Sequence, residues 1–556
     1  MALSLRLERQ RTDTRTVKLA TGLRSHRSRK RRELRISLRL SIAVAISFAA
    51  LMAPVASASA STGSASALGV KVTPSSNSVS ARLDALRDIN YFPSAHSWAG
   101  MWTDWDARTV ASDLARIKAL GGNAVRVTVP TATFGYPRPS ATMQQRLAQF
   151  AALAHADGIK IQLAIFDGFT SWSDIEGSKV WASQLLAPYA NRSDVAFVDL
   201  RNELDPSDAR QLAWAKRLLP YAEHLMGSVL VTVSKSGGGG AAALCAFKAE
   251  LAPAAPTFWD WHYYGVEGLA FPFFAQAKSC LAPDPLLIGE TGQSTYPDGS
   301  INALPVSSAS YQAYQAYYLR TIETAAAAAG LPAVAPWMLT DLDPAGAPPQ
   351  PTAREYYYGV YSANGVAKPA AATLAAYFGG RPVGQDFDGS FEQTIPSDSG
   401  QLLPALWRTF DPTGGRISSD TTVSHSGHAS LRMSGTSGNS SQMPGMWVVP
   451  VDAGVKPGGL VAASVWAKGT VSTGVNQLSV SFFDANGVYV GQVSSKALSR
   501  SSTNWTLLTA EGHAPPKAAY VRIYLKSGNN SGTVWFDDVT YLAPTGLPSV
   551  GAVIAK

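Results

Sequence analysis

The chain has 556 residues, 46 % of them hydrophobic, which is enough for two folded units with sizeable cores. Its net charge of +8 is unevenly distributed, because the first 40 residues hold thirteen Lys and Arg against three acidic residues. The remaining chain has a net charge of −2. The basic charge therefore belongs to a leader, and the composition does not support nucleic-acid binding.

The leader has the three parts of a secretory signal peptide in their usual order. A basic stretch is followed by the apolar run SIAVAISFAALM (41–52) and then by the small residues APVASASAS. A membrane anchor, the alternative, needs about 20 apolar residues, and this run is shorter. We expect a signal peptide over 1–60, a Ser-rich connector over 61–82 and a secreted protein that keeps no stable membrane anchor.

Eight short apolar runs alternate with helical patterns over residues 83–380. The predicted strands are RDINYF (87–92), NAVRVTV (123–129), KIQLAIF (160–166), VAFVDLRN (195–202), SVLVTVS (228–234), FWDWHYY (258–264), PLLIGE (285–290) and AVAPWML (333–339). Such runs, apolar on both faces, are typical of parallel strands covered on both sides. The pattern predicts an α/β fold, a (β/α)8 TIM barrel. A doubly wound sheet would need a Gly-rich first turn, and SGGGGAAAL (236–244) comes only after the fifth strand.

Barrel enzymes place their chemistry at the carboxyl ends of the strands. Glu203 closes the predicted fourth strand and Glu290 the seventh. Their spacing matches three β/α units, so we expect them to face each other across the mouth. Two such carboxylates suit glycoside hydrolysis, in which one donates a proton to the departing oxygen and the other attacks the anomeric carbon. Mutual repulsion and burial are expected to keep the acid protonated near neutral pH.

Other polar and aromatic side chains also stand at strand ends: Arg126, Asp167, Asn202, His262, Tyr264 and Trp337. Arg126 and Tyr264 can bind one of the carboxylates, and Trp337 offers a flat apolar face to a sugar ring. His262 has an alternative interpretation as a buried core histidine.

The loop after the first strand, SAHSWAGMWTDWD (94–106), adds Trp98, Trp102 and Trp105. Core packing is not the obvious role of three tryptophans in a loop at the barrel mouth, so we predict that Trp102 contributes to substrate binding. Trp98 and Trp105 have the alternative role of capping the barrel.

The motifs NAVRV, LRNE, WHYY, IGETG and PWMLTD occur in this order at strand ends. They resemble those of the retaining glycoside hydrolases of clan A, most nearly the cellulase-like glycoside hydrolase family 5, over roughly residues 85–378. The resemblance implies that Glu203 is the acid/base and Glu290 the nucleophile. It also implies that Asn202 binds the 2-hydroxyl of the sugar and that Arg126 and Tyr264 position the nucleophile. It further implies that His262 supports the acid and that Trp337 forms the floor of the sugar-binding subsite. The chain departs from the family pattern where many members carry His after the third strand, because it has Phe166 and Asp167 there.

A metal-dependent barrel hydrolase would need several His or carboxylate ligands at strand ends. Of the eight His, only His96 and His262 lie near such positions. We therefore expect no cofactor for catalysis. The two cysteines, Cys245 and Cys280, either form a disulfide, as exported proteins permit, or stay as buried thiols.

After about residue 384, short alternating runs separated by Gly- and Ser-rich turns replace the helical periodicity. They predict an antiparallel β-sandwich over 384–543 and a tail over 544–556. The opening FDGSFEQ and the closing VWFDDVTYL resemble jelly-roll carbohydrate-binding modules of the family 4, 9 and 22 type. By analogy Glu392 and Asp538 can share a structural Ca²⁺, although both can equally be surface carboxylates.

Three tryptophans of this domain have predicted places. Trp447 and Trp466 are candidates for a sugar-binding face, and Trp535 is predicted to lie in the core.

The sequence thus predicts a secreted, monomeric retaining glycoside hydrolase for a neutral β-linked poly- or oligosaccharide of β-glucan or β-mannan type. Galactosides, arabinosides and glycolipids are alternative substrates. A non-catalytic carbohydrate-binding or cell-surface protein on the same scaffold is the other alternative. The presence of both Glu203 and Glu290 argues against that last interpretation.

Overall fold

The computed structural model describes residues 75–297, 308–380, 387–396, 401–410, 416–436, 443–450 and 453–542. The predicted signal peptide and the predicted tail lie outside these residues, as does most of the connector. All described residues belong to one compact unit, Val72–Lys556. We call residues 75–380 the α/β region and residues 387–542 the β region.

Parallel strands run through the α/β region, as predicted. They are β1 (Asp88–Asn90), β2 (Ala124–Pro130), β3 (Lys160–Asp167), β4 (Val195–Asp199), β5 (Leu230–Thr232), β6 (Ser234–Lys235), β7 (Trp259–Tyr263) and β8 (Leu286–Thr291). Strands β1 to β5 form one sheet in chain order, and β6 to β8 form a second. Only Val233 separates β5 from β6, so the predicted fifth strand passes from one sheet to the next.

The predicted eighth strand, 333–339, is not a regular strand in the structure. Pro336 makes one isolated bridge to Thr291. The Asn90 N–H donates to the Pro336 carbonyl (3.1 Å), and the Leu339 N–H donates to the Asn90 carbonyl (3.0 Å). The segment therefore lies between β8 and β1, but proline has no N–H to continue a ladder.

Helices connect the strands. They are α1 (Ser76–Asp84), α2 (Ala99–Thr103), α3 (Ala107–Ala119), α4 (Thr131–Phe134), α5 (Ala141–Ala156), α6 (Ile175–Leu186), α7 (Ala209–Met226), α8 (Gly240–Leu251), α9 (Glu267–Leu281), α10 (Ser308–Ala328) and α11 (Pro369–Phe378), with 3-10 turns at Ala187–Tyr189 and Ala353–Tyr356. In α3 the Asp106 side chain caps the first turn, and Val110, Leu114 and Ile117 are buried along one face, as their spacing predicts. Gly121 follows with a left-handed φ of 87°, the predicted stop.

Helix α1 occupies most of the described part of the predicted connector. Ser75 caps it by accepting a hydrogen bond from the Ser78 N–H, and Val79 and Leu83 are buried. These two side chains belong to an apolar cluster with residues near the amino ends of several strands, among them Ala124 and Leu287. The helix therefore covers the end of the sheets opposite the predicted site.

Cys245 in α8 and Cys280 in α9 form a disulfide, with a Cα–Cα distance of 5.8 Å. This decides between the two alternatives that the sequence leaves open. Within the described ranges, no helix combines the length and the apolar character needed to cross a lipid bilayer.

The β region is antiparallel, as predicted. Its strands are β9 (Thr394–Pro396), β10 (Leu402–Pro404), β11 (Arg408–Phe410), β12 (Arg416–Asp420), β13 (Ser430–Thr436), β14 (Gly445–Val448), β15 (Leu460–Thr470), β16 (Val475–Phe483), β17 (Tyr489–Ser494), β18 (Thr506–His513), β19 (Tyr520–Gly528) and β20 (Asn530–Leu542). Two five-stranded sheets have the orders β11-β14-β19-β16-β17 and β12-β13-β20-β15-β18, and β9 pairs with β10. Strand β15 alternates buried and half-buried residues over Val461–Lys468, the pattern of a strand with one face on the core.

A buried ion pair joins the two regions. Arg408 Nη2 lies 2.9 Å from Glu267 Oε1, and the Tyr314 hydroxyl donates to Glu267 Oε2 at 2.8 Å. The Tyr317 hydroxyl donates to the Val449 carbonyl. Helices α9 and α10 of the α/β region thus bind the β region through an ion pair and hydrogen bonds.

Candidate active site

Six of the predicted site residues come together at the carboxyl ends of β2, β4, β7 and β8: Arg126, Asn202, Glu203, His262, Tyr264 and Glu290. The parallel register pairs His262 of β7 with Glu290 of β8. Because neighbouring strands end at the same edge, residues far apart in the chain meet there.

Three side chains converge on Glu290, which is 6 % exposed, and two of them donate hydrogen bonds to it. Arg126 Nη1 donates to Oε1, and the Tyr264 hydroxyl donates to Oε2 at 2.9 Å. His262 Nδ1 lies 3.4 Å from Oε2. The orientation of this carboxylate is therefore set from three sides.

Arg126 is the centre of the buried network. Its Nη1 also donates to Asn90 Oδ1 (2.9 Å), and its Nη2 donates to Asp199 Oδ2 (3.1 Å) and Asn202 Oδ1 (2.6 Å). Burial by itself lowers the pKa of Arg126, but the Glu290 and Asp199 charges outweigh it and raise the pKa. A planar guanidinium with fixed donor directions therefore holds Asn202 and Glu290 in one geometry.

Glu203 stands on a strained backbone with a φ of 50°, which is uncommon for a residue other than glycine. Its N–H donates to Ser234 Oγ (2.9 Å), and that hydroxyl donates to Asp199 Oδ2 (2.8 Å). The side chain is 39 % exposed, and its Oε1 lies 3.1 Å from His262 Nδ1. The turn that follows β4 thus directs a carboxylate outward into the site.

The two glutamates face each other as predicted. Polar atoms of Glu203, His262 and Glu290 all lie within 4.8 Å of one another. Carboxyl groups about 5–5.5 Å apart are typical of retaining glycosidases. The same spacing would suit a metal ion, but Arg126 and Tyr264 already donate to the oxygens of Glu290, so we assign no metal there.

The electrostatics of Glu203 differ from the expectation. Burial raises the pKa of Glu203, but the hydrogen bond and charge of His262, with smaller contributions from Arg126 and Arg201, lower it overall. Burial also lowers the pKa of His262, and there Glu290, Glu203 and Asp260 raise it overall. His262 contacts both carboxylates, so the attraction of its imidazole, and not repulsion by Glu290, has the larger effect on the pKa of Glu203.

Trp102 does not contact a substrate, contrary to the prediction. It is 0 % exposed, and its Nε1 donates to the Thr128 carbonyl at 2.8 Å. The short helix α2 directs the ring into the core, where it packs on Phe134, Phe150 and Trp105.

The two other predicted contacts lie at the rim. Trp337 is half-buried, with its ring 6.4 Å from that of Trp98, which is also half-buried. Asp167 faces Arg201, with Oδ1 3.6 Å from Nη1, and burial raises its pKa.

Sequence reasoning missed four buried partners of the site: Asn90, Asp199, Ser234 and Asp260. Asp199 is the last residue of the otherwise apolar β4, and Asp260 lies between two tryptophans within β7. A charged residue inside such a strand is the signal that could have identified them, since a buried charge needs a partner.

The tryptophans of the β region are placed differently from the predictions. Trp447 is 5 % exposed and lies between Arg408 and Arg522, so it does not form a sugar-binding face. Trp466 is half-buried and stacks on His425 at 4.2 Å. Trp535 is also half-buried rather than fully in the core, because its Nε1 donates to Asp420 Oδ2 (2.9 Å).

Glu392 and Asp538 both bind the loop at 425–429. Glu392 Oε1 accepts from the N–H groups of His428 (2.8 Å) and Ala429 (3.2 Å). Asp538 contacts the His425 ring and the Ser426 hydroxyl. Within the described part of the chain, neither carboxylate belongs to a group of three or more side chains close enough to share a metal ion. The shared Ca²⁺ stays a prediction.

No protein-family model and no curated protein matches the chain. Solved structures that resemble part of it include a GH5_18 protein from Streptomyces cattleya in complex with Manb1-4GlcNAc (18 % identity, TM-score 0.43, 52 % of this chain and 79 % of that one). Another is the exo-β-1,4-mannosidase Op5Man5 from Opitutaceae bacterium strain TAV5 (20 % identity, TM-score 0.43, 54 % and 60 %). A third is a GH2 β-galacturonidase from Eisenbergiella tayi (13 % identity, TM-score 0.40, 53 % and 50 %).

Proposed function

We propose that the chain is a retaining glycoside hydrolase, with Glu290 as nucleophile and Glu203 as acid/base, built on a closed (β/α)8 barrel. The observation that carries the proposal is the pair of facing glutamates, with one carboxylate oxygen of each within 4.8 Å of one of the other. Its substrate class is a neutral β-linked poly- or oligosaccharide of β-glucan or β-mannan type.

The different surroundings of the two glutamates support these roles. Glu290 is nearly buried and is oriented by Arg126, Tyr264 and His262, as a nucleophile aimed at one carbon atom should be. Glu203 is 39 % exposed, and its side chain is hydrogen-bonded to His262. An acid/base must reach first the leaving oxygen and then a water molecule, so the more accessible group suits that role.

In the first step Glu203 donates its proton to the glycosidic oxygen while Glu290 attacks the anomeric carbon. The bond from that carbon to the leaving oxygen breaks, and a glycosyl ester forms. In the second step Glu203 takes a proton from water, the water oxygen attacks the same carbon, and Glu290 is released. A sugar that covers Glu203 excludes water from it, and this burial acts to raise the pKa of the acid before the first step.

The remaining predicted residues have supporting roles. Arg126 holds the Asn202 carbonyl oxygen, so the amide nitrogen of Asn202 is oriented to donate to a sugar hydroxyl. Trp337 and Trp98 offer half-exposed rings for stacking. Asp167 is placed to bind a hydroxyl at the rim.

We also propose export from the cytoplasm and action as a monomer. The leader supports export, and so does the disulfide, because disulfides persist in oxidising compartments. Trp466 with His425 is the aromatic pair of the β region that we propose as a carbohydrate contact.

The test combines product stereochemistry with active-site labelling. Aryl β-glucosides, aryl β-mannosides, β-glucans and β-mannans are incubated with the protein, and NMR follows the anomeric configuration of the first product, which we expect to be retained. A 2-deoxy-2-fluoro glycoside of the accepted sugar should then label the peptide that contains Glu290, and excess substrate should prevent labelling. Inverted product, or a label on another residue, would refute the mechanism. Binding of a polysaccharide without any turnover would favour the carbohydrate-binding alternative.

A further inference from the structure

Asp260 is a buried carboxyl group two residues before His262 on β7, and it is 0 % exposed. Its Oδ1 accepts one hydrogen bond, from the Gly289 N–H at 3.0 Å. Its Oδ2 has no hydrogen-bond partner among the residues that the structure describes. A Cβ at position 289 would collide with this carboxyl group, so Gly289 both makes room for Asp260 and binds it.

Asp199, a neighbouring buried carboxyl group of the site, has many more hydrogen-bond donors. It accepts hydrogen bonds from Arg126 Nη2 (3.1 Å), the Arg201 N–H (3.2 Å), the Ser234 N–H (3.0 Å) and the Ser234 hydroxyl (2.8 Å). Among the described residues, Asp260 has one such donor, the Gly289 N–H. A buried charge without partners costs far more than a neutral acid in the same place, so the contacts favour a protonated Asp260.

The charges around Asp260 lead to the same conclusion. The groups that face it are Asp88 on β1, Arg126 on β2, Asp199 on β4, His262 on β7 and Glu290 on β8. At most two cations therefore stand against four carboxyl groups, counting Asp260. Burial raises the pKa of Asp260 to about 7, although His262 and Arg126 act to lower it.

Asp260 lies beside the imidazole that serves both catalytic glutamates. Polar atoms of Asp199, Asp260 and His262 lie within 4.8 Å of one another. His262 Nδ1 is near Glu203 and Glu290, whereas Nε2 is buried with no hydrogen-bond partner in the described chain. The charge of Asp260 acts on His262, and His262 acts on the acid.

We propose that Asp260 is a positioning residue that keeps a neutral carboxyl group behind His262 and so limits how firmly the imidazole holds its proton. The consequence for catalysis rests on the proposed roles of Glu203 and Glu290. An ionised Asp260 would strengthen the imidazolium, and a stronger imidazolium would hold Glu203 in its ionised, inactive form. Ionisation of Asp260 therefore contributes to the loss of activity at alkaline pH.

Asp260→Asn tests this proposal, because Asn has the shape of the neutral acid and cannot ionise. Below about pH 6, kcat/KM should stay within about twofold of wild type, since both carry a neutral group at position 260. Above about pH 7 the variant should retain more activity than wild type, so its alkaline limb should lie at higher pH. A loss of kcat/KM by the same factor at every pH would mean a merely structural role and would overturn the proposal.

Titration of His262 by NMR separates this proposal from the proposed function, because it requires no turnover. In protein labelled with ¹⁵N-histidine, the pKa of His262 should fall by about half a unit or more in Asp260→Asn, because the wild-type carboxyl ionises in the pH range where His262 titrates and Asn cannot. Asp88→Asn is the matched control, because it removes another buried carboxyl group whose charge is not among the main influences on the pKa of His262. The shift that it causes in the His262 pKa should be much smaller. An unchanged His262 pKa in Asp260→Asn refutes the proposal even if the glutamates prove catalytic. The wild-type protein needs no control for folding. Its His262 signals should show a second inflection at the pH where the Asp260 carboxyl ionises. A titration curve with a single inflection would also refute the proposal.

Discussion

Replacing Glu290 by Ala is expected to lower kcat on the best substrate by about 10⁴–10⁶-fold, the scale seen when a covalent nucleophile is removed. Without this carboxylate no glycosyl ester can form, and Arg126 and Tyr264 lose their shared partner. KM should change little, because most of the sugar contacts remain. Steady-state kinetics with freshly purified protein measures both quantities.

Replacing Glu203 by Ala should have a different signature. The loss should be about 10²–10⁴-fold for a natural glycoside, whose leaving oxygen needs a proton. It should be much smaller for an aryl glycoside with a good leaving group, and added azide should restore turnover by attacking the glycosyl ester. Asp205→Asn, which changes an exposed carboxylate of the same loop, should stay within a few-fold of wild type. Activity that survives both glutamate substitutions would disprove the two-carboxylate mechanism. If azide rescued Glu290→Ala instead of Glu203→Ala, Glu290 would be the acid/base and Glu203 the nucleophile.

Replacing Arg408 by Ala is expected to lower the free energy of unfolding by about 3–5 kcal/mol, because it leaves Glu267 buried without its cation. Both partners are nearly inaccessible, at 8 % and 1 % exposed. The guanidinium also lies over the rings of Tyr314 and Trp447. Since α9 begins at Glu267, three residues after Tyr264, activity should also fall when this anchor is lost.

Denaturant titration followed by both activity and near-UV circular dichroism measures the effect. In Arg408→Met combined with Glu267→Leu the loss should be much smaller than the sum of the two single losses, because no charge is then left unpaired. Arg210→Ala is the control, since this exposed arginine pairs with Asp208 at the surface and should hardly change the free energy of unfolding. If Arg408→Ala costs no more than this control, the junction does not stabilise the protein.

Much of the fold could be predicted because its signals are local. Apolar runs and the helical spacing of Val110, Leu114 and Ile117 identify the strands and helices without knowledge of their neighbours. The prediction of an eighth strand was wrong because an apolar pattern does not take hydrogen bonding into account. Pro336 has no N–H with which to continue a ladder. Helix α1 was missed because Val79 and Leu83 are too few to stand out in a Ser-rich stretch.

The sequence by itself determined the order of the elements, the positions of Glu203 and Glu290 at strand ends, and the composition of their surroundings. Only the tertiary structure decided that Trp102 points into the core and that Cys245 pairs with Cys280. It alone placed His262 between the two carboxylates, with Asp260 behind it. These outcomes depend on distances between residues far apart in the chain. The pKa of a buried group depends on its distances to the surrounding charges, and the order of residues along the chain does not give these distances.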